Sequence, residues 1–517
     1  MFEPYRPEPY SDFANPANRV AFETALAGVE SQLGGDASPI IAGSPVATSK
    51  SIVSVDPSRP DRVIGRVGSA SAAEAESALA AAWAAFPAWS SLPAIERARY
   101  GMHLAELMRS RKFELAAWQC FEAGKNWGEA EADVCEALDF CDYYAREAVR
   151  LEEPVQVFPF AGEENSSHLV ALGAGVVIPP WNFPLAILVG MTLGPVMAGN
   201  TVVLKPASTT PMIGVGFMEL VAEAGFPPGV INFLPGAGSE IGDLLVDHPT
   251  TRFINFTGSK EVGLRIAERS AKVHPGQQWL KRSLMEMGGK DALIVDETAD
   301  LELAAIDAVK SAYGFQGQKC SACSRLILVD GIHDEVLDRV VANTAALGIG
   351  SPMENGQVGP VISESQHRMI LEEIDRGKSE ADLIQGGSAV GQDGGYYIEP
   401  AVLAGVEPEA RLAQHEIFGP VLSVIRARDF DHALDIANGT EFGLTGGLHS
   451  RDRSRIERAR REFHVGNLYI NRKITGALVG VQPFGGFNMS GSNAKAGGPD
   501  YLRLFMEMKT VAERWLV

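Results

Sequence analysis

From residue 168 onward, short β-branched runs alternate with helix-forming stretches, and this alternation restricts the fold more than any other feature. LVALGAGVVIPP reads as a buried strand, LAILVGMTLGPVMAGN as a helix ending near Gly199, and TVVLKP as the next strand. TPMIGVGFMELVAEAG, VINFLPG, SEIGDLLVDHP, FINFTG and SKEVGLRIAERSAK continue as helix, strand, helix, strand and helix. Repeated strand–helix–strand units build a parallel sheet covered by helices. Ligands of such a sheet bind at the carboxyl ends of its strands. A second alternating block begins near DALIVD (291–296) and includes RLILVD, HDEVLDRVVANTAAL, PVISESQHRMILEEIDRG, YYIEPAVLAGV and DFDHALDIANG. The fold class is therefore α/β, and 517 residues supply more than one core.

The apolar stretch from Val170 to Leu204 is long enough to span a membrane, but Pro179, Pro180, Asn182, Pro184, Pro195 and Asn200 interrupt it. A formal net charge of −20 makes nucleic acid and anionic lipid poor partners. The N-terminal MFEPYRPEPY lacks a basic region leading into an apolar run, so it does not read as a secretory signal. Residues 1–36 read as an arm with a helical pattern at Arg19–Leu33, and residues 72–150 are rich in Ala and Glu with helical periodicity. The tail LRLFMEMKTVAERWLV has strand character. Paired with EEPVQVFPF (152–160), it is expected to form a small extra sheet whose free edge suits a second subunit.

Of the five cysteines, Cys120, Cys135 and Cys141 fall in helical patterns as small core residues. The odd count in a long chain does not suggest a disulfide framework, and a reducing cytosol is the natural compartment. Cys320 stands apart in GFQGQKCSACSR (314–325): Gly314 and Gly317 permit close backbone approach, and Lys319 would favour the thiolate if its charge lies near. Cys320 and Cys323 supply only two metal ligands, with no second pair, so no metal site is expected. A buried structural cysteine is the bland alternative; a redox pair with Cys323 is a weak one, because that motif normally sits at the front of a small domain. No histidine base is evident, and Glu286, beside Gly288 and Gly289 at the break between the two blocks, is a candidate for activating water.

Eight short segments then occur in one order: IPPWNFP (178–184), VLKPAS (203–208), NFLPGAG (232–238), FTGSKEVG (256–263), EMGGK (286–290), GQKC (317–320), EIFGP (416–420) and PFGGFNMSG (483–491). In these the chain resembles the aldehyde dehydrogenase superfamily over nearly its whole length. The resemblance implies a Rossmann-type cofactor domain, an α/β catalytic domain and a small β oligomerisation flap. The expected division is an arm at 1–36, a cofactor domain at 37–150 and 168–285, a catalytic domain at 286–487, and the flap at 151–167 and 488–517. It implies Cys320 as nucleophile, Asn182 and the Cys320 N–H as oxyanion donors, and Glu286 as general base for thioester hydrolysis. For the cofactor it implies Lys205 and Ser208 at the adenosine ribose, Gly238 and Ser259 near the pyrophosphate, Glu416 on the nicotinamide ribose, and Phe418 packed nearby. Many NAD-preferring relatives carry a glutamate where Ser208 stands, so NAD⁺ with tolerance of NADP⁺ is expected.

GFQGQKCSACSR, residues 471–514, the KNW at 125–127 and ADVCEALDFCDYYAR (132–146) are similar to the branch of the superfamily that oxidises glutamate γ-semialdehyde. That branch implies Ser321 and the N–H groups of Gly476 and Ala477 as a carboxylate anchor. It also implies Phe183 and Phe484 as walls for the aliphatic middle, and Glu136 and Lys319 in the polar surroundings. The implied role is the second oxidation of proline breakdown, downstream of a separate proline-oxidising enzyme, by a homodimer or higher homo-oligomer. Another carboxylated aldehyde such as succinate semialdehyde, or a silent cofactor-binding structural protein, are the competing expectations.

Overall fold

The first alternating block folds as the pattern predicts. In the computed structural model, which describes residues 3–391 and 393–515, it forms strands β1 (Ala174–Ile178), β2 (Thr201–Leu204), β3 (Ile231–Phe233), β4 (Phe253–Thr257) and β5 (Arg282–Glu286). They lie side by side in the order β5-β4-β1-β2-β3, all parallel. Their residues are almost all buried, as expected of a sheet covered on both faces. Strand order runs outward from β1 through β2 to β3, then resumes on the other side with β4 and β5. The direction reverses between the neighbours β1 and β4, and the crevice outside their carboxyl ends is where such a sheet takes its ligand.

Residues 37–150 belong with this sheet. Ile40–Ile41 extends it by pairing with Phe233, the helix Ala72–Ser90 packs on it, and helix α1 (Trp127–Glu152) packs against α2 (Ala186–Met197), which follows β1. The second block forms β6 (Ala292–Val295), β7 (Arg325–Val329), β8 (Ala401–Ala404), β9 (Val421–Ala427), β10 (Thr445–His449) and β11 (Asn467–Ile470), parallel in the order β8-β9-β7-β6-β10-β11.

Several expectations are corrected. LVALGAGVVIPP is not one strand: the chain breaks at Gly173, whose φ of +139° and whose position 2.5 Å from Trp83, measured from an ideal Cβ, only glycine accommodates. SEIGDLLVDHP is helical as expected, a π-helix at Gly238–Gly242 continuing into an α-helix at Asp243–Asp247. The tail does not pair with EEPVQVFPF. Met506–Arg514 pairs antiparallel along its whole length with Glu163–Ala171, while EEPVQVFPF touches that strand only through Val155 and Ser167. The flap is therefore 163–171 with 506–514, and Leu516 and Val517 of the tail lie outside the described residues. Tyr501, Leu502 and Phe505 sit in the main core instead.

The arm is docked. Phe22, Leu26 and Val29 of the helix Pro16–Glu30 enter the same core, and residues 5–11 lie along α1, where Glu131 accepts from the Ser11 N–H and hydroxyl. Met1 and Phe2 lie outside the described residues. Cys120, Cys135 and Cys141 are buried and unpaired. Among the described residues no single helix is long and apolar enough to cross a membrane.

Candidate active site

One cavity of about 490 Å³ opens where the carboxyl edge of the first sheet meets the amino edge of the second. From the first sheet, β5 ends at Glu286 and the loop after β1 delivers Asn182 and Phe183. From the second, Cys320 and Ser321 precede β7 and Lys473, Gly476 and Ala477 follow β11, while Asp291, before β6, and Glu416, before β9, lie outside the lining.

Cys320 is placed by an unusual turn. Helix α3 (Leu301–Tyr313) stops at Gly314, and Phe315, Gln316 and Gly317 follow with φ of 50°, 57° and 68°. Left-handed geometry costs a non-glycine residue about 1–2 kcal/mol. Gln316 Nε2 offsets this by donating to the carbonyls of Gly124 and Pro360 at 3.1 and 2.8 Å, and Phe315 packs with Ala123 and Ile362. The turn presents a half-buried Cys320 to the cavity. Among the described residues its N–H has no hydrogen-bond partner. Asn182 is buried and donates through Nδ2 to the Gln318 carbonyl at 3.0 Å. An amide nitrogen carries two donors, so one remains for an oxyanion beside Cys320.

The electrostatics correct one expectation. Lys319 does not ionise Cys320, because its ammonium is paired with Glu129 at 2.7 Å. Burial, and then the carboxyls of Asp291, Glu286, Glu416 and Glu136, push the Cys320 thiol well above its ordinary range. Burial raises Glu286 to about 8, opposed by the Gly486 N–H, which donates to Oε1 at 3.1 Å, and by Lys495. Glu136 is raised to about 8, first by burial and then by Asp133. It lines the cavity with no hydrogen bond or ion pair of its own among the described residues.

Phe183, Phe484, Ser321, Gly476, Ala477, Glu136 and Lys319 all line this cavity with Cys320 and Glu286. The N–H groups of Gly476 and Ala477 have no partner among the described residues, which leaves them available as donors. Asn182 and the residues singled out for the cofactor do not line it. They sit around the neighbouring crevice: Lys205 and Ser208 follow β2, Gly238 follows β3, and Ser259 caps the helix Lys260–Ser270 after β4. Lys205 is a buried amine without an ion pair among the described residues, and burial lowers it to about 8. Such a group suits ribose hydroxyls better than a phosphate. Glu416 accepts from the Gly289 N–H at 3.0 Å, and an ideal Cβ on Gly288 would fall 1.9 Å from its Oε2, so only glycine lets it reach there. Phe418 has φ of +58° and meets Trp181, next to Asn182, edge-on at 5.4 Å. The chemistry of these residues fits a dinucleotide. Among the described residues no group of three or more His, Cys, Asp or Glu is placed to hold a metal.

The motif reading missed Lys473, an exposed lysine at the cavity lining whose Nζ lies 3.5 Å from an ideal Cβ on Gly476. It also missed the arm residues Tyr10 and Ser11, which complete the cavity wall. No periodicity or motif marks them; only the chain path does.

A thiol, a buried carboxylate and spare amide donors beside a Rossmann-ordered sheet are the parts that covalent oxidation of a carbonyl compound requires. The aldehyde dehydrogenase family model matches residues 46–511, and the chain belongs to that family. Among curated proteins it is 54% identical over 515 residues to a 1-pyrroline-5-carboxylate dehydrogenase of Geobacillus kaustophilus, covering 99% of this chain and 100% of the relative. Among solved structures it is similar to 1-pyrroline-5-carboxylate dehydrogenase from Thermus with bound NAD, at 56% identity, TM-score 0.99 and full coverage of both chains. It also matches proline utilization A from Bdellovibrio bacteriovorus at 44% identity and TM-score 0.97, covering 99% of this chain and 53% of that one.

Proposed function

We propose that this enzyme oxidises L-glutamate γ-semialdehyde, the hydrolysed form of 1-pyrroline-5-carboxylate, to L-glutamate with NAD⁺. The observation that carries this reading is one cavity lined both by Cys320 and Glu286 and by the unpartnered N–H groups of Gly476 and Ala477, with Ser321 beside the thiol. Phe183 and Phe484 add apolar wall for a short aliphatic chain. A substrate with an aldehyde and a carboxylate at its two ends fills this arrangement.

The thiol sulfur of Cys320 bonds to the aldehyde carbon, its proton passing to solvent, and the carbonyl oxygen becomes an oxyanion held by the Cys320 N–H and the free Asn182 donor. Lys205, Ser208, Gly238, Ser259, Glu416 and Phe418 would hold NAD⁺, which would supply the hydride acceptor. Glu286 then takes a proton from water, which adds to the thioester carbon; the Cys320 sulfur leaves and glutamate is released. Ser208 leaves no carboxylate to repel a 2′-phosphate, so some NADP⁺ use is part of this reading.

The flap exposes Met508, Val511 and Trp515 beside Phe158 and Phe160, and a second copy of this chain covering it makes a homo-oligomer. The five free thiols suit a reducing cytoplasm. A separate proline dehydrogenase supplies the imine, a link supported by the match to about half of a longer proline utilization protein. The test is NAD⁺ reduction across aldehydes. Glutamate γ-semialdehyde should exceed propanal and succinate semialdehyde in kcat/KM by at least tenfold. Equal rates with propanal refute the anchor, and a preference for succinate semialdehyde replaces the substrate.

A further inference from the structure

The C-terminal segment that follows PFGGFNMSG carries a lysine to which no role has been given. Lys495 Nζ donates to the carbonyls of Gly466 and Gly485 at 2.6 and 2.9 Å, and to Asn467 Oδ1 at 3.1 Å. All three of its donors are thereby used. The same Asn467 Oδ1 accepts from the Gly485 N–H at 3.2 Å, and Phe484 N–H donates to the Ala496 carbonyl at 2.9 Å. The turn 483–486 is therefore gripped from both sides by the segment 494–496. An ideal Cβ on Gly485 would lie 2.9 Å from the Lys495 backbone nitrogen and 3.3 Å from Glu286 Oε2, so the chain at Lys495 and the carboxylate flank the same glycine. The next residue, Gly486, makes the one hydrogen bond that Glu286 receives from the described residues. Lys495 itself has φ of +50°, as Asn493 has +54°. Strain of this kind, about 1–3 kcal/mol per residue, persists where the surroundings over-determine the geometry.

We propose that Lys495 is a positioning residue for Glu286. It fixes the turn that donates to the carboxylate and is the cation facing it, holding the base in place and in its charged form for thioester hydrolysis. This rests on Glu286 as the general base. The groups facing Glu286 are few. Lys495 stabilises its charge, and Cys320 and Tyr501 are the titratable groups that Glu286 in turn disfavours ionising.

The experiment follows the NADH burst and the pH dependence of kcat with glutamate γ-semialdehyde in Lys495→Met, Lys495→Gln and Glu286→Gln. Loss of Lys495 should leave the burst, which reports acylation and hydride transfer, within about threefold. It should lower steady-state turnover about 10-fold or more, within the range of general-base effects, with KM falling alongside kcat. The rising limb of kcat should move to higher pH in both Lys495 variants, because a carboxylate that loses a neighbouring cation holds its proton longer. Lys495→Gln keeps part of the hydrogen bonding and carries the test of the limb if Lys495→Met does not fold. An unmoved limb with full turnover in both, while Glu286→Gln abolishes turnover after a normal burst, overturns the role of Lys495 alone. Full turnover in Glu286→Gln overturns the assignment of the base itself.

Discussion

Gly317 offers the sharpest perturbation. Its φ is +68°, and an ideal Cβ placed on it lies 2.2 Å from the Gly419 carbonyl oxygen, 2.7 Å from the Gly419 carbonyl carbon and 3.0 Å from the Ala312 oxygen. All three are backbone atoms, so no side chain can rotate aside. A carbon–oxygen contact relaxes at about 3.3 Å, so Gly317→Ala forces the nucleophile turn and the 416–420 loop apart by about 1 Å. On one side of that gap is Cys320, three residues on; on the other is Phe418, against Trp181. A misplacement of about 1 Å at reacting groups costs roughly 10²-fold in rate, which is about 2.7 kcal/mol of barrier. The expected result is a fall in kcat/KM of about 10²-fold with the far-ultraviolet spectrum unchanged. Dehydrogenase activity should fall together with hydrolysis of p-nitrophenyl acetate, which needs Cys320 and its oxyanion donors but no cofactor. Activity within threefold of the parent in both assays refutes the reasoning.

Removing one oxyanion donor by Asn182→Ala should cost about 10²–10³ in kcat, again in both assays, with NAD⁺ binding followed by fluorescence unaltered. Lys125 and Asp133 form a buried ion pair, both fully enclosed, with the Lys125 ammonium over the rings of Phe183 and Phe315 at 4.4 and 4.8 Å. Lys125→Met orphans a buried charge and should destabilise by about 3–5 kcal/mol, read as a lower urea midpoint, whereas Lys125→Met with Asp133→Asn should recover most of that loss. Lys473→Met should raise KM for glutamate γ-semialdehyde several-fold with little change in kcat, and the effect should shrink with salt, because an exposed cation over the anchor loop steers an anion.

Much of this architecture was legible because the two periodicities are strong. Buried Val and Ile runs such as TVVL and DALIV, separated by amphipathic helices, allow few foldings other than a covered parallel sheet. Cys320, Glu286, Ser321 and Phe484 were legible through ordered motifs, and they do meet in one cavity. What failed did so for long-range reasons. The pairing partner of the tail was misplaced because 152–160 and 163–171 are both plausible strands, and only the register Met506 to Ala171 decides between them. LVALGAGVVIPP looked continuous because apolar runs do not announce a break, and Trp83, ninety residues earlier, imposes it at Gly173. Lys495 and Lys473 were invisible because a lysine in a loop carries no periodicity, and their partners lie on other segments.

The misjudged role of Lys319 explains how the cavity is built. A lysine beside a nucleophilic cysteine suggests a thiolate, yet α1 supplies an acid to each of three lysines, Lys319 among them. Glu129 takes Lys319, Glu131 takes Lys112 and Asp133 takes Lys125. With those cations paired, burial first, and then the carboxyls of Asp291, Glu286, Glu416 and Glu136, push the Cys320 thiol well above its ordinary range. A free ammonium at Lys319 would act at long range on either polar end of a substrate and so would not fix its orientation. Pairing it away leaves neutral N–H groups at Gly476 and Ala477 as the place for a carboxylate, and these act over hydrogen-bond range, not over the whole cavity. The orientation of a substrate with two polar ends is then set by where the donors are, and the acids that hold the lysines are as much a part of that selection as the anchor itself.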